Sequence, residues 1–210
     1  VARLGSVVIV LIILVCNSAA QSPDIIFKQA IKAMTNGKGE KALREVRSRQ
    51  ASGKITNPRD GSTGLYQMSA SQPNLFTEAF NLGGLEFSSG YNGKSSWTRD
   101  SRDGLRTLTG QASRDFQTEA RYRNWRWLDY KKDKSKLTFA GQTTINGQPA
   151  NTLALVTAKN VTIKLHFDAA SGLLVREEIP AGDTIRVFDY SDFKPVGALQ
   201  EPHAIKLSIG

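Results

Sequence analysis

Pro73–Trp97 reads PNLFTEAFNLGGLEFSSGYNGKSSW, and the whole fold hangs on this stretch. From Asn74 to Leu82 the residues alternate. Phe76, Glu78, Phe80 and Leu82 fall on one side, and Leu75, Thr77, Ala79 and Asn81 on the other. A period of two predicts a strand. Gly83-Gly84 breaks the run, and Leu85 and Phe87 then share a face. Asn92-Gly93 predicts a tight type I′ turn, in which both central residues need φ > 0. Lys94–Thr98, carrying Trp97, is the expected return strand. The stretch therefore predicts a three-strand antiparallel meander that is part of a curved sheet with one apolar face.

Downstream of it, Asp100–Gly110 is polar and reads as turn. Gln111–Leu128 is expected to be one helix capped near Thr109, with Ala112, Phe116, Ala120 and Trp127 in one stripe. Trp125 would lie on the opposite face, so this helix is either clamped between two layers or a lid with one side open. From Leu137 onward the pattern is all strand and turn. Asn146-Gly147 predicts a second hairpin, and Lys159-Asn160 a third tight turn. Val161, Ile163, Leu165 and Phe167 alternate with Thr162, Lys164, His166 and Asp168, which predicts a half-buried strand. Leu173–Ile179 and Thr184–Tyr190 complete another hairpin. Ala204–Ile209 begins a last strand that stops at Gly210. An apolar strand ending there leaves an unpartnered edge, so further strand sequence is expected beyond it.

Upstream, Ser22-Pro23-Asp24 is a helix start, followed by Ile26, Ala30, Ile31 and Met34 at helical spacing. Gly39–Val46 reads as a second short helix, and Arg47–Thr56 and Thr63–Ala70 as strands. Short strands joined by polar turns, without βαβ alternation, define an α+β class that is mainly antiparallel β.

The 210 residues suit one domain plus a leader. Arg3, the apolar run Val7–Val15 and the small residues Ser18-Ala19-Ala20 predict a secretory signal peptide over residues 1–20 and a single domain over 21–210. The apolar run is too short to span a bilayer, which takes about 20 residues. The protein is thus expected to be exported to the periplasm. Cys16, the one cysteine, lies inside the leader, and an alternative makes it a lipid anchor point. Cleavage after Ala20 would leave no thiol for disulfides, catalysis or metal.

Several segments together carry a family resemblance: ALREVRSRQASGKI (Ala42–Ile55), PNLFTEAF (Pro73–Phe80), GYNGKSSW (Gly90–Trp97), RTLTG (Arg106–Gly110), LTFAGQTTINGQPANTLALV (Leu137–Val156), HFDAASGLLVREE (His166–Glu178) and FDYSDFKPVGALQEPHAIKL (Phe188–Leu207). The chain from about residue 24 to 210 resembles the outer membrane lipoprotein-sorting proteins, the LolA/LolB-like periplasmic domains. The resemblance implies an unclosed, half-open β-barrel whose concave hydrophobic face is covered by helices. It also implies an activity of binding lipoprotein acyl chains or other lipids. No carrier residue of the family maps onto this chain.

The residues themselves exclude most chemistry. His166 and His203 are the only histidines, and His166 is expected on the polar face of its strand. There is no nucleophile elbow, zinc-protease motif or phosphate loop, so neither an enzyme nor a cofactor or metal is expected. The net charge of +9, densest in RYRNWRWLDYKKDKSK (Arg121–Lys136), could meet nucleic acid, anionic membrane or an acidic protein. The leader argues against nucleic acid and leaves the other two. The expected ligand-binding wall and lid comprise Phe76, Phe80, Phe87, Trp97, Phe116, Trp125, Trp127, Ile163, Leu165 and Phe167. Whether they enclose a cavity or a filled core stays open, and with it the choice between a lipid carrier and an envelope interaction or sensor module.

Overall fold

The computed structural model describes residues 22–210; the leader and Cys16 lie outside them. Helix α1 (Pro23–Met34) starts with Pro at its first turn and Asp24 beside its positive end, and buries Ile26, Phe27, Ala30 and Ile31. Helix α2 (Glu40–Glu45) buries Ala42 and Leu43.

Two six-stranded antiparallel meanders follow. The first contains β1 (Ser48–Thr56), β2 (Thr63–Ser71), β3 (Leu75–Leu82), β4 (Leu85–Tyr91), β5 (Ser96–Asp100) and β6 (Gly104–Thr107). The second contains β7 (Lys136–Ile145), β8 (Gln148–Val156), β9 (Thr162–Asp168), β10 (Leu174–Ala181), β11 (Thr184–Val196) and β12 (Leu199–Ile209). In each sheet every strand pairs only with its sequence neighbours. No strand of one sheet hydrogen-bonds to the other, so the barrel is not closed.

Helix α3 (Gly110–Arg123) connects the sheets and packs between them, touching β3, β4 and β5 on one side and β10 on the other. It is therefore clamped. It is also shorter than the expected Gln111–Leu128. The chain turns at Trp125, which adopts φ 61°, ψ 15°, and continues as a 3-10 turn over Arg126–Asp129. The backbone reversal puts Trp127 off the helix stripe. Asn124 secures the end by donating from Nδ2 to the carbonyls of Ala120 and Leu75.

Two further expectations need correction. Gly104–Thr107 is an edge strand rather than part of a turn, paired with β5 from Trp97↔Thr107 to Asp100↔Gly104. At Asn92-Gly93 only Gly93 has positive φ, 91°. The loop is instead organised by Asn92 Oδ1, which accepts from the amides of Lys94 and Ser95. Among the described residues, the hairpin turns with two successive positive φ values are Gly83-Gly84 (58° and 80°) and Asn146-Gly147 (50° and 79°).

The main core lies inside the second sheet. Strand β9 points Ile163, Leu165 and Phe167 inward, at 0%, 1% and 2% exposure. Against them pack Ile26, Phe27 and Ile31 of α1, with Trp125, Trp127 and Tyr130. Phe27 meets Trp127 edge-on at 5.0 Å and Tyr130 at 5.7 Å. Helix α1 reaches both edge strands of this sheet, β7 and β12, so the sheet curls around it. The first sheet has a much smaller core, in which Phe76, Tyr91 and Ala70 pack against Phe116 and Ala120 of α3.

Candidate functional site

Strand register defines the inner face of the first sheet. Ala70, Phe76 and Tyr91 form one cross-strand row; Met68, Glu78 and Ser89 the next; Tyr66, Phe80 and Phe87 a third; Gly64, Leu82 and Leu85 a fourth. Helix α3 covers the first row, where the Phe76 and Phe116 rings are 5.8 Å apart. The third and fourth rows lose that cover. Tyr66, Phe80, Leu82, Leu85 and Phe87 are only half-buried, as are neighbouring Ile55 and Met68. The Phe80 and Phe87 rings stack at 5.0 Å across β3 and β4. On the second sheet, Ile205, Leu207 and Ile209 pair with Tyr190, Phe188 and Arg186 and so share their inward face. They are 53%, 43% and 66% exposed. Two apolar rows, one per sheet, thus remain without full cover.

Between the sheets sits a buried polar network. Arg186 of β11 donates from Nη1 to Glu78 Oε1 of β3 at 2.5 Å, and from Nη2 to Glu119 Oε2 of α3. Arg123 Nη2 donates to Glu119 Oε1 at 3.3 Å and Nη1 to the Tyr190 hydroxyl at 3.3 Å. Tyr122 donates to Glu177 Oε1 at 2.8 Å, and Ser89 to Glu78 Oε1 at 3.1 Å. Glu177 Oε2 lies 3.0 Å from Arg123 Nη1 yet accepts no hydrogen bond, and Arg186 Nε donates none. Burial, reinforced by the Glu177 carboxylate, pushes the Tyr122 and Tyr190 phenols well above their ordinary range. Burial next to Glu78 pushes Tyr66 up to about 12. The network joins both sheets and α3 while keeping its tyrosines protonated.

A second bridge pins the open side. Arg49 of β1 donates to Glu201 of β12 at 3.0 Å, and its guanidinium stacks over the Trp125 ring at 4.6 Å. Trp125 is held in its left-handed conformation beneath that contact. A bulky residue at positive φ is an outlier that surrounding packing must hold in place.

The predicted wall and lid residues occupy three settings. Phe80 and Phe87 lie on the uncovered row, and Phe76 lies beneath α3 against that helix's Phe116. Trp125, Trp127, Ile163, Leu165 and Phe167 lie in the main core. A side chain lining a void large enough for water keeps accessible surface, and the three β9 residues keep almost none. Trp97 points away from all of these. It pairs with Gly90, on the face opposite Phe87, and lies flat against that strand. A Cβ at position 90 would come within 2.6 Å of its ring, so only glycine fits.

The sequence reading did not find Arg49, Glu78, Glu119, Arg123, Glu177 or Arg186. For those on strands the one sequence signal is an ionisable residue at an inward position, such as Glu78 between Phe76 and Phe80; Glu119 and Arg123 lie on α3.

His166 is on the outer face as expected, but it is buried. Nδ1 sits 2.9 Å from Thr152 Oγ1 and Nε2 3.1 Å from Glu178 Oε1. Desolvation, only partly offset by Glu178, lowers its pKa and favours the neutral ring. The three side chains lie across adjacent strands, a structural arrangement. Among the described residues no group of His, Cys, Asp and Glu could hold a metal ion, and no helix is long and apolar enough to cross a membrane.

No protein-family model and no curated protein matches the chain. Solved structures do align with it. A domain assigned to the outer membrane lipoprotein-sorting proteins of Vibrio parahaemolyticus aligns over 90% of this chain and 85% of its own, at 9% identity and TM-score 0.49. A LolA superfamily protein from Nitrosomonas europaea aligns over 89% and 84%, at 13% identity and TM-score 0.49. A DUF1329 family protein from Desulfovibrio piger aligns over 89% and 86%, at 10% identity and TM-score 0.46.

Proposed function

We propose that this protein is a non-enzymatic envelope carrier that holds an apolar chain, a lipoprotein acyl group or a lipid, between its two sheets. The observation that supports this is the half-buried row Tyr66, Phe80 and Phe87, facing the same interior as the exposed row Ile205, Leu207 and Ile209. An acyl chain laid along these rows would gain about 0.8 kcal/mol per buried CH₂. Phe80 and Phe87 are the first contacts, with Phe76 and Phe116 at the inner end. Trp125 and Trp127 close off Ile163, Leu165 and Phe167, which the ligand does not reach while α1 stays in place. The leader over residues 1–20 places the mature chain in the periplasm, or on a membrane if Cys16 is lipidated. Its partners are then acylated proteins, lipid, an anionic membrane surface or another envelope protein.

A second reading, an envelope interaction or sensor module, is favoured by one observation: the main core is sealed by its own side chains, with Ile163 and Leu165 at 0% and 1% exposure.

Native mass spectrometry of the exported chain, with and without added palmitate, separates the two. The carrier reading expects a copurified lipid or stoichiometric palmitate uptake, lost in Phe80→Asn/Phe87→Asn. A clean apo mass with no uptake would favour the interaction module.

A further inference from the structure

The exposed side of α3 carries Arg114, Gln117 and Arg121 in one stripe, since residues three and four apart share a helix face. Arg114 and Arg121 are about 10 Å apart along the axis, seven residues at roughly 1.5 Å each. Lys159, from the β8–β9 turn, reaches the middle of this stripe and donates to Gln117 Oε1 at 2.5 Å. Lys136 heads β7 and pairs with Val156, three residues before that turn. Arg121 bonds Asp133 at 2.5 Å, which brings exposed Lys134 to the same side. Arg114 is held by the neutral amide of Gln111. Arg114, Lys136 and Lys159 have no carboxylate partner among the described residues, so their charge is left for something outside the chain. The β8–β9 turn also keeps Lys159 partly desolvated and close to Arg121, and both effects lower its pKa. Asp133 pairs with Arg121 but Lys159 has no acid of its own, so a bound anion would offset its partial desolvation and its repulsion from Arg121.

We propose that this face, the α3 stripe with the β8–β9 turn and the start of β7, docks on the surface of an anionic phospholipid bilayer. A bilayer presents phosphates as an extended array, which suits charges spread over a stripe better than a single small anion does. None of these residues belongs to the main core or to the apolar rows, so the docking is independent of the acyl-chain reading and can fail without it.

The test is cosedimentation of the exported chain with phosphatidylglycerol/phosphatidylcholine vesicles at fixed ionic strength. Each basic residue at such a surface contributes a factor of about five, so Arg114→Gln/Lys136→Gln/Lys159→Gln should weaken binding about 100-fold. None of the three breaks an ion pair, so the fold is retained, which circular dichroism checks. The control, Lys28→Gln/Lys38→Gln/Lys41→Gln, removes the same charge from α1, α2 and their connection. It should cost far less. Equal losses in both triples would mean that net charge alone attracts the protein, and would overturn the docking face. Release by inorganic phosphate at constant ionic strength would mark a site for the free anion and would also overturn it. Equal binding to pure phosphatidylcholine would do the same.

Discussion

The two sheets share one topology, six strands each pairing only with sequence neighbours, yet they bury very different amounts. The sheet β7–β12 points Leu153, Leu155, Ile163, Leu165 and Ile179 inward and curls around α1 until they are sealed. The sheet β1–β6 places Ala51, Gly53, Glu78, Ser89 and Thr98 among its inward positions, and only the row Ala70, Phe76 and Tyr91 is buried under α3. Pairing pattern thus does not determine burial. A helix docks where the apolar row is continuous. Where it is interrupted by small and polar residues, the sheet keeps an uncovered aromatic row, and that row is where the proposed ligand would bind without displacing the protein's own side chains.

The contrast can be broken most sharply by truncation. Leu165→Ala, in the sealed sheet, should cost about 3–5 kcal/mol in urea unfolding, because the space it leaves cannot collapse. Phe80→Ala, on the uncovered row, should cost about 1–2 kcal/mol, because its ring is already partly in water. Similar costs at the two positions would mean that the first sheet is covered as tightly as the second. Between them falls Arg186→Met. It leaves Glu78 and Glu119 buried without their shared cation, an expected loss of about 3 kcal/mol. Because those bonds join sheet to sheet, the variant should also expose the first sheet to protease before the second.

The smallest effect sharpens the boundary between the sheets. Tyr66 has its folded pKa raised from 10.0 to about 12. A raised pKa adds stability in full below the unfolded value, and that stability is lost as pH rises from about 10 to about 12. With the ring half-buried, about 1–2 kcal/mol is at stake after allowance for solvent screening. Tyr66→Phe should remove this part of the alkaline transition. An unchanged profile would place the phenol in solvent.

Much of this was legible in the sequence. The alternation Ile163, Leu165, Phe167 and the pairs at Gly83-Gly84 and Asn146-Gly147 are local signals, and each marks its strand or turn. The end of α3 was not legible, because no Gly or Pro marks it. Trp125 enters the left-handed region among tertiary contacts that local sequence does not show, packed in the main core with Arg49 of a distant strand over its ring. Strand β6 escaped notice because Gly-Leu-Arg-Thr has no apolar alternation and is held by pairing with β5. The buried network was invisible for the same reason of distance: Glu78 and Arg186 are 108 positions apart, and each alone reads as a surface charge. Sequence could nominate Phe80 and Leu165 alike as apolar wall. Only the packing of α1 and α3 separates the open row from the sealed core.

Hydrogen-exchange mass spectrometry with and without bound palmitate tests that separation most directly. Binding on the uncovered row should slow exchange in the peptides spanning 63–71 and 75–91 and leave 23–34 and 162–168 unchanged. Faster exchange in 23–34 together with altered exchange in 162–168 would mean that α1 withdraws and the ligand enters the sealed sheet, and would contradict the account.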